Sequence, residues 1–513
     1  MSKSFKYLLF IVIIVLFASC ASVDFDYPKS ESTALVDTHD TYFGKQFKDE
    51  INQHPNGHSG FFLLEDGIDA LSARLLLAEH AQRSIDAQYY EIKKDIIGRA
   101  FITALLQAAD RGVRVRLLID DINTVGYDIG MAALDSHPNF EIRVFNPFVN
   151  RTFRKLDALD SFSRINRRMH NKSFTVDNQI TLFGGRNIGD EYFGAGEDAT
   201  FFDLDVAAIG PIVKEVSNMF DLYWNHERAA LLPAFTKIPE EPAVELTRVR
   251  ENLKKWRDEV VDTKYAEIVK KTYLEFVKNQ QEFTWAPYQL VYDSPDKAFK
   301  RKASTVASIT TPIRKSLLAA EKEILVVSPY FVPKKKGIDA LSIIQESGVN
   351  ITVITNSHAA NNQALVHAGY APARKPLLKN GIKIYEVKPT AQVIEYETID
   401  LSSAKATLHT KAYIVDREQL FIGSFNFDQR SANINTELGA IIHSPQLASL
   451  MADRVNAALE KKTYELFLNN TGGLRWRAYN HGQEVVLSKE PHTTWWQRMK
   501  GRFLQMLPIK DQL

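Results

Sequence analysis

Apolar and polar positions along the chain follow two periods that take turns. From Asp66 to Arg83 apolar residues recur at helical spacing, and SIDAQYYEI (84–92) follows as a short strand-like run. A second helical stretch, Gly98–Arg111, leads into VRVRLLID, and FEIRVFNPF adds a further apolar strand. The succession then returns as helix Thr305–Glu321, strand EILVVSPYFV, helix Gly337–Glu346 and strands VNITVITN and GIKIYEVKP. Strands alternating with helices predict an α/β fold with a mixed β-sheet flanked by helices in each half. Between the halves, residues 240–282 are charged and helical in pattern. Leu253, Trp256, Val260, Tyr273 and Phe276 give this stretch one apolar side, the pattern of a connector packed on the domains.

The repetition extends to residues with chemistry. RMHNKSFTVDNQITLFGGRN (168–187) and LHTKAYIVDREQLFIGSFN (408–426) each follow a His with Lys at +2, Asp at +7, Gly at +14 and Asn at +17. His170 to His409 and Asn187 to Asn426 each span 239 residues, and Tyr90 to Tyr330 spans 240. Composition alone predicts roughly 0.03 occurrences of H-x-K-x4-D in such a chain. Two copies with matching Gly and Asn therefore mark a duplicated unit, as 513 residues also suggest. Each segment predicts a hairpin, with His and Lys on one face of its first strand and a turn at DNQ or DREQ. Gly and Asn end the second strand, where glycine lets a ligand approach the backbone. Asp177 and Asp416 have the opposite parity, which predicts a supporting part in the site rather than direct contact.

Histidine beside lysine and asparagine suits a phosphate. Lysine supplies a charge, asparagine donates hydrogen bonds, and imidazole serves as nucleophile or proton carrier. Displacement at phosphorus through a covalent intermediate needs one neutral His to attack and one protonated His to release the leaving oxygen. The duplication supplies both, so the site is expected between the halves. There is no G-x-G-x-x-G, P-loop lysine, H-E-x-x-H or cysteine–histidine cluster, so neither a cofactor nor a metal is expected.

Charge then narrows the substrate. Lys and Arg number 63 against 62 Asp and Glu, a balance that weighs against a nucleic-acid binder. At the N-terminus, Lys3 and Lys6 precede the apolar run Tyr7–Phe17. As a helix that run rises about 16 Å, too short to cross a bilayer and of the length of an export signal. Cys20, the single cysteine, follows Ala18 and Ser19 at its end. At the C-terminus, Trp495, Met499, Phe503 and Leu507 recur every fourth residue among Arg498, Lys500 and Arg502. That pattern suits either a membrane interface or a helix docked on the protein itself.

The paired HNKSFTVD…GGRN and HTKAYIVD…GSFN resemble the two motifs of the phospholipase D superfamily. The longer stretches RMHNKSFTVDNQITLFGGRNIGDEYFGAGEDATFFDLDVAAIGP and TNSHAANNQALVHAGYAPARKPLLKNGIKIYEVKP resemble bacterial cardiolipin synthases of the C type. The resemblance implies two tandem phospholipase D-type domains with one active site at their interface. It further implies transfer of a phosphatidyl group through a phosphohistidine, without metal, from phosphatidylethanolamine to phosphatidylglycerol. The alternatives are hydrolysis to phosphatidic acid and, on weaker grounds, a nuclease.

Carried over by residue, the resemblance makes His170 and His409 nucleophile and general acid, in either order. Lys172, Lys411, Asn187 and Asn426 would hold phosphoryl oxygens, and Asp177 and Asp416 would support the site. Glu437 and Asp205 would orient the imidazoles, while His367, Tyr370 and Arg374 are candidate headgroup contacts. Cys20 resembles an acylated lipobox cysteine, which makes the chain a lipoprotein of the bacterial envelope facing the periplasm, with the outer membrane favoured. Its partners would be phospholipids and a membrane surface, with no nucleic acid; a need for an accessory protein is left open. The organisation expected is a signal peptide (1–19), a tether (20–45), a first domain (46–240), a helical connector (241–285), a second domain (286–475) and a Trp-rich amphipathic tail (476–513).

Overall fold

Helix starts follow local capping. Asp66 accepts the N–H groups of Ile68 and Asp69 to open the helix Gly67–His80, and Asp95 accepts from Gly98 to open Ile96–Asp110. The computed structural model describes residues 23–506, apart from 152, 155–156, 158–161, 197, 279–280, 300–307, 392–404 and 481–482. The signal run, Cys20 and Leu507 lie outside the described residues.

The first half supplies β1 (His58–Leu64), β2 (Ser84–Tyr89), β3 (Arg114–Asp120), β4 (Phe140–Phe145), β5 (Ser173–Val176), β6 (Ile180–Gly184), β7 (Ala199–Phe202), β8 (Asp205–Ile209) and β9 (Ala229–Leu231). The second half supplies β10 (Thr284–Tyr292), β11 (Glu323–Val327), β12 (Asn350–Asn356), β13 (Lys383–Val387), β14 (Lys405–Leu408), β15 (Ala412–Val415), β16 (Gln419–Gly423) and β17 (Leu438–His443). It ends with β18 (Thr463–Leu468), β19 (Leu474–Asn480) and β20 (Gln483–Leu487).

In each half the central three strands are parallel (β2-β3-β4 and β11-β12-β13), and the strands beyond them are antiparallel. The first half runs β9-β4-β3-β2-β5-β6-β8-β1 across the sheet. The second runs β18-β13-β12-β11-β15-β16-β17-β10, the same order. β1 and β10 pair antiparallel, Gly60 opposite Trp285, and join the halves into one sheet about a pseudo-twofold axis.

Three apolar clusters hold this arrangement. One lies under the helices of the first half (Ile85, Phe101, Leu105, Val115, Phe174) and one under those of the second (Ile324, Val353, Leu377, Tyr413). The third brings Leu118, Phe183 and Val206 of the first half against Leu325, Ile414 and Ile422 of the second. The inner sheet faces therefore bury each other, and separating the halves would expose a core.

Three boundaries differ from expectation. The cut at 45/46 falls inside the helix Tyr42–Gln53. Strand β10 starts at Thr284, so the sheet of the second half begins just before 286. The cut at 475/476 falls inside β19, and the sheet continues to Leu487. In RWRAY, polar residues alternate with Trp476 and Ala478, both buried, which is the period of a strand. The connector forms two helices, Pro242–Val260 and Lys264–Lys278, the second packed on Gly67–His80.

Candidate active site

The two reactive segments emerge at the same edge of their half-sheets. Each predicted hairpin is present, β5–β6 and β15–β16, with two successive residues of positive φ at its turn: Asp177 and Asn178 (both 51°), Asp416 and Arg417 (54° and 58°). Asp and Asn tolerate that left-handed region better than most residues. His170 and Lys172, like His409 and Lys411, sit just ahead of the first strand rather than within it. Their backbones turn to the opposite half. His170 N donates to Thr436 O at 2.9 Å and Thr436 N to Arg168 O at 3.0 Å. On the other side β14 pairs parallel with β7, and His409 N donates to Phe202 O at 2.7 Å.

That crossing decides which carboxylate meets which imidazole. His170 Nδ1 lies 2.8 Å from Glu437 Oε2, and His409 Nδ1 lies 2.6 Å from Asp203 Oδ2. Each histidine is thus oriented from the other half, and Nε2 is the ring nitrogen turned to a substrate. Asp205 does not orient an imidazole. It pairs with Arg74 at 2.7 Å and accepts Arg186 N at 3.2 Å, deep in the first half. The repeat itself carried the correct signal, since Asp203-Leu204 aligns with Glu437-Leu438.

The glycines serve this packing. A Cβ at Gly185 would fall 2.0 Å from Asp203 Oδ1, and one at Gly423 would fall 2.4 Å from Leu438 O. They admit the carboxylate strands rather than a ligand. In the second copy Ser424 replaces Gly185 and donates to Glu437. The first copy has no hydroxyl there, and Asp203 takes the N–H of Leu204 instead, at 2.8 Å.

Lys172 Nζ donates to His170 O at 2.6 Å. Lys411 Nζ donates to His409 O and lies 2.8 Å from His409 Nδ1. Rings fix the imidazoles from the side. Tyr90 stands edge-on to His170 at 4.9 Å, Phe201 stacks on His409 at 5.2 Å, and Tyr192 meets it edge-on at 5.1 Å. Tyr192 also accepts a hydrogen bond from Asn187 Nδ2 at 2.8 Å. The amide oxygens of Asn187 and Asn426 are buried with no partner among the described residues, as suits a site built to meet a polar ligand.

Burial dominates the electrostatics. It pushes His170 down to about 4 and His409 down to about 3, with Lys172 and Lys411 acting in the same direction on both. Each histidine thus feels both lysines, which makes the two motifs one site. Desolvation also pulls Lys172 down to about 7 and Lys411 down to about 8. Burial alone would raise Asp203 and Glu437, yet the imidazoles and lysines beside them hold both below the usual carboxylate range. The site therefore holds fewer protons than the same groups would carry in water.

Five more predicted site residues lie elsewhere or act otherwise. Asp177, expected to support the catalytic site, accepts the N–H groups of Gln82, Arg83 and Ser84 and fixes the entry to β2 instead. Asp416 does the same for Glu321, Lys322 and Glu323 at β11. Both act on backbone at the sheet edge away from the histidines. His367 and Arg374 join a separate cluster: Arg374 lies 2.8 Å from Glu386 and 2.7 Å from Glu490, and His367 Nε2 lies 3.1 Å from Glu490. Tyr370 is buried beneath the Arg374 guanidinium, 4.9 Å from it. Glu490 lies beyond every motif, so nothing in the repeat announced this cluster. Conversely, Asp203, Ser424, Tyr192 and Phe201 were not anticipated.

Comparison with known proteins agrees with the duplicated architecture. The family model described as "Cardiolipin synthase, PLD-like domain" matches residues 76–224 and again 313–459. Cardiolipin synthase C of Escherichia coli (strain K12) is 41% identical over 465 residues, 90% of this chain and 97% of that protein. An uncharacterized protein of Helicobacter pylori (strain ATCC 700392 / 26695) is 29% identical over 99% of this chain and 100% of its own length. Among solved structures, phosphatidylserine synthase of Haemophilus influenzae Rd KW20 superposes with a TM-score of 0.58 at 14% identity, covering 91% of this chain and 99% of that one. At that identity the likeness is one of fold.

Proposed function

We propose, on the premise that this chain belongs to the cardiolipin synthase family with PLD-like domains, that it is a phosphatidyltransferase joining two phospholipids into cardiolipin. The observation that carries this reading is the crossed pair: two buried histidines, one from each half, each held at Nδ1 by the other half's carboxylate.

Nε2 of one neutral histidine attacks the donor phosphorus, and the P–O bond to the departing headgroup alcohol breaks. The second histidine gives that oxygen a proton, so a phosphohistidine and a free alcohol result. The acceptor hydroxyl then attacks phosphorus, returns a proton to the second histidine, and the P–N bond breaks. Lys172, Lys411 and the two asparagines face the phosphoryl oxygens, where charge grows in the transition state. The substrate completes the arrangement, because its anionic phosphodiester favours protonation of one imidazole that is neutral in the empty site.

Phosphatidylethanolamine is the proposed donor and phosphatidylglycerol the acceptor. On the same reading Cys20 is acylated and tethers the protein in the bacterial envelope, facing the periplasm. The apolar run Tyr7–Phe17 ahead of a single cysteine supports this.

The test is lipid analysis of membranes lacking their own cardiolipin synthases. Cardiolipin should appear with the wild-type chain and vanish with His170→Ala or His409→Ala. Phosphatidic acid in its place would make the enzyme a hydrolase, and no change in either lipid would remove the lipid assignment.

A further inference from the structure

The C-terminal segment builds a second site, away from the histidines. The helix Trp495–Gln505 opens with a capping box at Thr494 and packs on the helix Ala364–Tyr370. Gly501 is its buried contact; a Cβ there would sit 3.4 Å from His358 Cε1. Beneath it Glu490 is the knot of the docking, 2.6 Å from His358 Nδ1, 3.1 Å from His367 Nε2 and 2.7 Å from Arg374 Nη1.

Between helix and body lies a cavity of about 550 Å³. Its wall holds Lys375, Lys489, Arg498 and Arg502, none of which has a carboxylate partner among the described residues. Glu490, the one carboxylate lining it among the described residues, is consumed by its three partners. His367 Nδ1 is buried beside it without a partner. Four uncompensated cations around one cavity call for an anion. His358, His367 and Glu490 come within 4.8 Å of one another, a spacing that could suit a metal, but the Arg374 guanidinium already occupies Glu490 and opposes a cation there.

The helix says which anion. Trp496 is 75% exposed, Met506 74% and Phe503 59%, alongside the exposed Trp495 and Met499. A soluble anion needs none of these. An apolar row next to a cationic cavity is the arrangement that meets a phospholipid, chains on one side and phosphate on the other.

We propose that this cavity is a non-catalytic seat for an anionic phospholipid. The headgroup phosphate lies among Lys375, Lys489, Arg498 and Arg502, and the acyl chains lie along Trp495, Met499 and Phe503. The seat rests on the reading that the enzyme works on lipids, and it would hold the protein against anionic membrane.

Full-length protein carrying Cys20→Ser, which removes the proposed acyl anchor, would be floated with vesicles of phosphatidylglycerol and, separately, of phosphatidylcholine. Lys375→Glu/Arg502→Glu should weaken binding to the phosphatidylglycerol vesicles about tenfold or more. Turnover of detergent-dispersed short-chain phosphatidylethanolamine with phosphatidylglycerol should stay within about twofold. Lys375→Gln/Arg502→Gln and Phe503→Ser, with circular dichroism to check folding, should each weaken vesicle binding to a lesser degree. Unchanged flotation in all three variants would overturn the seat. So would inorganic phosphate binding that the charge variants abolish while flotation persists, because the ligand would then be a free anion. Loss of turnover in the histidine variants only, whatever the flotation result, bears on the transferase reading and not on the seat.

Discussion

His170 Nδ1 lies 2.8 Å from Glu437 Oε2, a carboxylate 267 residues further along the chain. The matching pair, His409 and Asp203, crosses in the opposite direction. Neither half contains an oriented histidine of its own, so the duplicated fold is one catalytic unit and not two.

Glu437→Gln tests the orientation directly. An amide can donate to Nδ1 and so favour the tautomer whose Nε2 carries hydrogen, which cannot attack. The expected loss in kcat is about 10²- to 10⁴-fold, with KM little changed. Ser424→Ala removes only the hydroxyl behind Glu437 and should cost about tenfold or less. Steady-state kinetics of both variants decides it; equal effects would mean that Glu437 acts through packing alone.

Asp203 lies between β7 and β8 and Asp205 opens β8, and the two should fail differently. Asp203→Asn should lower kcat as Glu437→Gln does, leaving the fold intact. Asp205→Asn breaks a buried pair with Arg74 and should cost about 3–5 kcal/mol of stability. Thermal melts beside kinetics separate the two, and a catalytic loss at 205 with an unchanged melt would reverse the assignment.

These two residues show where the sequence was readable. The hairpins, the pairing of His with Lys and the placement of the site between halves follow from local period and spacing, which a repeat displays twice. The partner carboxylate follows from a strand crossing between halves, and no local pattern encodes it. Spacing from the histidine points to Asp205 only because GAGEDAT makes the first copy longer, whereas Asp203-Leu204 is the pair that matches Glu437-Leu438. Arg374 looked like a phosphate ligand because Glu386 and Glu490, its partners, are remote in sequence.

Asp177 and Asp416 should prove structural. Each accepts three backbone N–H groups at a strand entry, so Asp177→Ala should lower stability by about 2–4 kcal/mol. The folded fraction should turn over within about threefold of the wild type. Denaturant melts with kinetics normalised to folded protein would show this. A large fall in kcat at full stability would show that these aspartates support the site after all.

The low basicity of the site makes both stability and ligand binding depend on pH. Burial holds His170 near 4 and His409 near 3, against 6.5 in the unfolded chain. Between those values the unfolded chain binds more protons, so the histidines' contribution to stability is full above about pH 6.5 and is lost as pH drops toward 4 and then 3, by on the order of a few kcal/mol. The lysines act in the same direction at higher pH. With Lys172 near 7 and Lys411 near 8, the unfolded chain holds protons that the folded one has released, so stability continues to rise toward the unfolded lysine value of 10.5. His170→Gln/His409→Gln should flatten the acid limb of a melt-versus-pH curve and leave the alkaline limb. Anion binding draws on the same deficit of protons. Inorganic phosphate entering at pH 7 to 8 raises both lysines and both histidines, so binding should take up protons from the buffer. Calorimetry in two buffers of different ionisation heat measures that uptake. A wild-type binding heat that is independent of buffer would show that the site holds its charge before the ligand arrives, and substrate-driven protonation of an imidazole would fail with it.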